Sequence, residues 1–360
     1  MKIAHLTSVH PRYDTRIVNM CRSLARHNYE AHLIVADGNG DENIHGIEIH
    51  DIGAEHGAVL YRMPIRVFRV FKKAKTLNAD VYHFHDPELM FAGILLKMFR
   101  FNVVFDVHED LPRQIMRKYY IPAFIRKLVS FASKIAEWLT ANIVDAVVTV
   151  TPHLVEKFKY ANVYEIRNYP VLSEFEKVEV HKSKITYVGA ISRTRGIMQM
   201  TESFARGEHR LTLVGRFQPA SLQQEAECLD GWSQVDYLGW QSREQVSSLL
   251  ASSSIGLVLL QPTGDYEDAF PVKLFEYMAA GVAVIASDFP LWRSIIESEN
   301  VGVCVNPNDT QAISGAIEEL LNDPERIKLM GRNGVSATVN RYNWETQERV
   351  LFKLYDDIVG

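Results

Sequence analysis

The stretch from Ser254 to Asp288, SIGLVLLQPTGDYEDAFPVKLFEYMAAGVAVIASD, constrains the fold more tightly than any other part of the chain. Ile255 to Leu260 is an unbroken apolar run, Pro262 and Gly264 mark a loop, and Val282 to Ala286 is a second apolar run. Between them, Pro271 to Ala280 reads as a helix, because proline pre-sets the first turn and Gly281 supplies the left-handed residue past the end. A strand, helix and strand so arranged form a βαβ unit of a parallel sheet, whose ligands sit at the carboxyl ends of the strands. Asp268 stands just before the helix and Glu276 eight residues later, about two turns on, within reach of one elongated ligand. Phe270, Pro271, Val272 and Lys273 place helix N-terminal amides and a cation between the two acids, an arrangement that attracts phosphate.

With 360 residues the chain has room for two domains, and 47% hydrophobic with 23% charged residues is ordinary globular composition. Cys21, Cys228 and Cys304 lie far apart with no metal-type spacing, which fits reduced thiols in a cytoplasmic compartment. Lys2 to Leu6 starts a strand rather than a signal peptide, and no apolar run reaches membrane-spanning length. The net charge of −5 divides into +4 up to Pro170 and −9 beyond it. Within the basic half, residues 62–75 hold six Lys or Arg and no acid, and residues 111–140 hold no acid before Glu137. Basic, aromatic and aliphatic residues interleaved in this way read as a membrane-surface segment, with an ordinary core-facing helix as the rival. Nucleic acid is not an expected partner, since no recognition motif accompanies these runs and the pI is near 6.2.

Strand-like runs at 2–8, 31–36, 80–85, 103–107 and 145–150 place a first domain over 1–170, closed by Val163 to Pro170. Polar residues 173–183 form a linker. Runs at 184–188, 210–215, 235–238 and 301–305 join the βαβ unit in a second domain over 184–340, and a last helix starts at Trp344. The first glycine is Gly38, so the first loop holds no dinucleotide fingerprint. Arg12 and Arg16 offer guanidinium donors there, suited to a phosphate, with surface pairing to Asp14 as the competing reading. His83, His85 and His108 fall at strand ends; His83 is read as buried and structural, and His85 is left open.

The acid pair Asp268 and Glu276, followed by Tyr-Met-Ala-Ala-Gly and a Val-rich strand, resembles the signature of retaining family 4 (group 1) glycosyltransferases. Gly189 to Gly196, with Arg193 and Arg195, resembles that family's diphosphate-binding loop, although Ala190 stands where an arginine is usual. The resemblance covers essentially the whole chain. It implies the α/β GT-B fold: two Rossmann-like domains facing across a cleft, with the C-terminal helix, 344–360, crossing back to the first. The 1–170 domain would take the acceptor and the 184–340 domain the nucleotide-sugar donor.

For individual residues it implies that Glu276 binds the ribose diol and Asp268, in place of the usual glutamate, the donor sugar's hydroxyls. Arg193, Arg195 and Lys273 would hold the diphosphate with Gly189, Phe270, Pro271 and Val272, and His108 would contact sugar and phosphate. Glu109, Arg12 and Arg16 fall on the acceptor side. The implied reaction is metal-independent, needs no cofactor, and moves a sugar from a nucleoside diphosphate sugar to a glycan, expected to be polyprenyl-linked, at an anionic cytoplasmic membrane face. A nucleotide-sugar 2-epimerase of the same fold and a non-catalytic sugar-nucleotide-binding partner are the alternatives.

Overall fold

The computed structural model describes residues 1–54, 59–118, 121–175, 184–205, 207–263 and 266–360. Gly264 of the expected loop and residues 176–183 of the expected linker lie outside the described residues. The chain divides into two compact units, residues 1–167 with 347–360, and residues 168–346.

The first unit is built on strands β1 (Lys2–Leu6), β2 (Glu30–Val35), β3 (Glu42–Ile44), β4 (Ile47–Asp51), β5 (Val81–Phe84), β6 (Asn102–Val107), β7 (Ala146–Thr149) and β8 (Val163–Glu165). Their order in the sheet is β3-β4-β2-β1-β5-β6-β7-β8. Every pairing is parallel except β3 with β4, a hairpin turned by His45 and Gly46, both in the left-handed region. Sequence reading passed over this hairpin. The central strands are almost wholly buried, as expected where helices cover both faces of a parallel sheet, and mainly apolar, with His5, His83 and Asp106 as buried polar exceptions. Connections leave in opposite directions on either side of β1, so the loops after β1 and β5 border the crevice where a ligand enters.

The second unit holds β9 (Lys184–Val188), β10 (Leu211–Val214), β11 (Val235–Gly239), β12 (Ser253–Val258), β13 (Ala283–Ser287) and β14 (Gly302–Val305), all parallel, in the order β11-β10-β9-β12-β13-β14. Here the order reverses between β9 and β12. The helix between β12 and β13 runs Val272–Ala279, with Leu274 to Ala279 buried. It ends at Gly281, whose φ of +64° lets the amides of Gly281 and Val282 reach back to the carbonyls of Met278 and Tyr277. Tyr277 packs where a side chain on Gly256 would stand, and its hydroxyl accepts a 3.0 Å hydrogen bond from the Val188 amide. That bond fastens the helix to the end of β9, beside the loop that follows it.

Candidate functional site

In the second unit the loop after β9 and the start of the helix Val272–Ala279 converge on one cation. Lys273 Nζ sits 3.7 Å over the Tyr187 ring and has no hydrogen-bond partner among the described residues. Burial, and then the neighbouring Arg195 guanidinium, hold the Lys273 ammonium well below the ordinary lysine range. Gly189 stands with φ +129°, and a Cβ there would come 3.2 Å from Lys273 Nζ and 3.8 Å from the Arg195 guanidinium. Backbone, ammonium and guanidinium thus surround one space in which an anion would replace the missing hydrogen-bond partner. Pro271 itself occupies the N-cap position of the helix, so Asp268 is not its N-cap. Asp268 is exposed on the loop ahead of it, and Phe270 and Val272 are half-buried.

Glu276 is buried and accepts a 2.5 Å hydrogen bond from Arg243, whose Nε also donates to Glu174 at 2.8 Å. Sequence reading missed Arg243; the signal was Ser242 followed three residues later by Gln245, a capping box that starts the helix Arg243–Ala251 and fixes the arginine on its first turn. Arg193 does not join the Lys273 group: it is ion-paired with Glu225 at the surface.

In the first unit, the loops after β1 and β5 meet at Asp86. Its carboxylate accepts from the Val9 amide at 3.1 Å and the Thr7 hydroxyl at 2.8 Å, as well as from the Ser8 amide. Asp106, at the end of β6, takes both ends of the Arg16 guanidinium at 3.0 Å. Although burial pushes its carboxyl up, Arg16 holds Asp106 well below the usual carboxylate range.

Arg16 is therefore a buried structural residue and not a donor at a cleft mouth, since its remaining nitrogen donates to the Ile166 carbonyl at 2.8 Å. Arg12 is also corrected. It donates to Asp37 at 2.8 and 2.7 Å, to Glu42 at 2.9 Å and to the Gly40 carbonyl at 2.8 Å, which staples the chain leading into β3 and commits four of the five guanidinium N–H groups to the protein instead of to a phosphate.

The histidines form a buried ring. His85 lies 3.0 Å from Asp106 and 2.8 Å from His5, and the Tyr355 hydroxyl lies 3.2 Å from His5 and 2.8 Å from His83. His108 stacks on His85, and burial lowers it to about 4, so it is neutral at pH 7. Glu109 is exposed and pairs with Gln114.

Tyr355→Phe should destabilise this unit by about 1–3 kcal/mol, because two buried imidazole nitrogens lose their shared partner. An unchanged urea midpoint would show that the ring does not hold the C-terminal helix. Burial also depresses His5 and His83, so stability should fall as pH drops below about 6.5, where only the unfolded chain takes up those protons.

Residues 14–166 match the family model described as Glycosyltransferase Family 4, and residues 172–336 the model described as Glycosyl transferases group 1. The phosphatidyl-myo-inositol mannosyltransferase of Mycobacterium tuberculosis is 35% identical over 98 residues, 26% of this chain and 25% of that protein. The chain spans 25% to 38% of the length of the mannosyltransferases of this kind that it matches. Among solved structures, sucrose-phosphate synthase from Thermosynechococcus elongatus superposes with a TM-score of 0.80 at 17% identity, covering 99% of this chain and 98% of that one. HepE of Anabaena in complex with UDP-glucose gives 0.75 at 15% identity, covering 99% and 100%.

Proposed function

Because the chain belongs to the family 4 (group 1) glycosyltransferases and has their GT-B fold, we propose that it moves a sugar, with retention, from a nucleoside diphosphate sugar to a lipid-linked glycan. The observation that carries the reading is the buried ammonium of Lys273, without a hydrogen-bond partner among the described residues, beside Arg195 and Gly189. Negative charge developing on a leaving diphosphate is the largest electrostatic demand of such a step, and preorganised cations meet it without reorganisation. Lys273, Arg195 and the amides at Val272 and Lys273 supply that charge, so the reading is metal-independent. Glu276, oriented by Arg243, takes the ribose diol, and Asp268 faces the donor sugar's hydroxyls. The C1–oxygen bond to the diphosphate breaks, the acceptor oxygen bonds C1 on the same face, and its proton passes to the leaving phosphate. His108 in the first unit, being neutral, serves as a hydrogen-bonding group and not as a cation.

The acceptor half of the reading rests on the first unit. No helix among the described residues is long and apolar enough to cross a membrane, but the helix Ala123–Ile143 exposes Phe124, Leu128, Phe131 and Trp138 together with Lys127 and Lys134. A basic, apolar surface of this kind suits peripheral binding to the anionic inner face of a cytoplasmic membrane. The Mycobacterium tuberculosis relative is a phosphatidyl-myo-inositol mannosyltransferase, which supports a lipid acceptor, and HepE was solved with UDP-glucose, which supports a nucleotide-sugar donor.

The test incubates the protein with UDP-, GDP- and ADP-sugars and a polyprenyl-diphosphate-linked acceptor, in the presence of a chelator, and reads the product anomer by NMR. The expected product keeps the donor's anomeric configuration. An inverted product, or conversion of the donor alone into its 2-epimer, would overturn the reading.

A further inference from the structure

The face of β2 and β4 turned away from Leu33, Ile47 and Ile49 carries a second cluster of ligating groups. The parallel register sets His32 opposite Glu48 and Ile34 opposite His50, so the period of two puts His32, Glu48 and His50 on one side of the sheet. Leu33, Ile47 and Ile49 occupy the other side, in the core. His32 Nδ1 lies 3.0 Å from His50 Nε2 and 3.3 Å from Glu48 Oε2, and one ligand atom from each of the three lies within 4.8 Å of the others. The imidazoles stack at 5.3 Å with 12° between their planes.

A tetrahedral ion with metal–nitrogen and metal–oxygen bonds of about 2.0–2.2 Å needs its ligand atoms roughly 3.3–3.5 Å apart. The two separations from His32, 3.0 and 3.3 Å, are within a few tenths of an ångström of that spacing, and rotation of the exposed Glu48 side chain brings its carboxylate to the third. Glu30 Oε2 stands 4.0 Å from His32 Nε2, close enough for a side-chain rotation to bring it into the hydrogen bond by which a carboxylate orients a metal-bound imidazole. Asp41, Glu30 and Glu48 add negative charge around the pair, against Lys73 and Lys2. Two imidazoles and one carboxylate select a borderline transition ion over Mg²⁺ or Ca²⁺, which take oxygen ligands. The other group of this composition, His83, His85 and Asp106, cannot act in the same way, because both Asp106 oxygens already receive the Arg16 guanidinium.

We propose that His32, Glu48 and His50 form a site for a divalent transition-metal ion of the Zn²⁺ class, with its open position toward solvent on the Glu48 side, that clamps β4 and its hairpin to β2. The full-length protein is titrated with CoCl₂ and its visible absorption followed, and thermal unfolding is recorded with ZnCl₂ and with MgCl₂. One equivalent of Co²⁺ should saturate a ligand-field band, and Zn²⁺ but not Mg²⁺ should raise the melting temperature as its concentration rises. His50→Ala and Glu48→Ala, both at solvent-accessible positions, should each weaken the cobalt response by at least about tenfold. A band of undiminished strength and affinity in both variants, or no band in the wild type at millimolar Co²⁺, overturns the proposal.

Discussion

Lys273→Met is expected to weaken nucleoside diphosphate binding about 10- to 100-fold, the loss of one charge-assisted hydrogen bond of about 1.5–3 kcal/mol, while raising the melting temperature of the unliganded protein. The two effects have one cause. The ammonium is buried with no hydrogen-bond partner among the described residues, so in the free protein it is a desolvated charge that the anion relieves. Methionine keeps the volume, removes the charge and retains a contact with the Tyr187 ring. The pH dependence follows from the direction of the shift. A lysine held below its ordinary range binds fewer protons folded than unfolded, so this group's contribution to wild-type stability rises with pH from the folded value up to the unfolded one. The variant should lack that rise. Unchanged affinity in Lys273→Met would remove the diphosphate from this loop; a lowered melting temperature would show that the ammonium is satisfied in the free protein.

What could be read in the sequence and what could not divide along the range of the interactions. The βαβ unit was legible because its punctuation is local: Pro271 opens the helix, Gly281 closes it, and apolar runs on each side are the strands. The places of Glu276 and Lys273 on that helix followed from the same punctuation. Arg16 was misjudged because its partner, Asp106, lies 90 residues away on another strand, and no local pattern distinguishes a guanidinium that will be buried from one that will meet a ligand. Arg12 failed similarly, its partners lying 25 to 30 residues on, at the mouth of a hairpin too short to be noticed. Arg193 and Arg195 are separated by one residue yet face different surroundings, Glu225 for one and Gly189 for the other. The turn Arg193–Arg195 that divides them is three residues long.

The helix Ala123–Ile143 illustrates the same limit, since its periodicity was evident and the side it turns outward was not. Phe124, Leu128, Phe131, Ile135 and Trp138 repeat every three or four residues and are 81%, 60%, 62%, 43% and 52% exposed. The buried side holds Glu137, Thr140 and Ala141, with Glu137 ion-paired to Lys157 at 2.7 Å. A helix that turns its polar side inward and its apolar side outward needs a partner for the latter. A second copy of the chain would set the Lys127 and Lys134 borders against their own kind, whereas an anionic leaflet pairs with them. Burying four large apolar side chains at about 1.5–3 kcal/mol each exceeds the roughly 1 kcal/mol that each basic residue adds near such a surface. Phe124→Ser, Leu128→Ser, Phe131→Ser and Trp138→Ser together should therefore abolish sedimentation with phosphatidylglycerol vesicles at any salt concentration while sparing nucleotide binding. Reversing the charge of Arg117, Lys118, Lys127 and Lys134 should remove only the increment seen in low salt, because screening acts on the Coulombic part alone. Arg126 is left out of that set, since its Nε and one terminal nitrogen are buried. Complete release of the wild type by salt would assign the attraction to charge and leave the apolar stripe unexplained. No sedimentation with anionic vesicles would move the acceptor into solution.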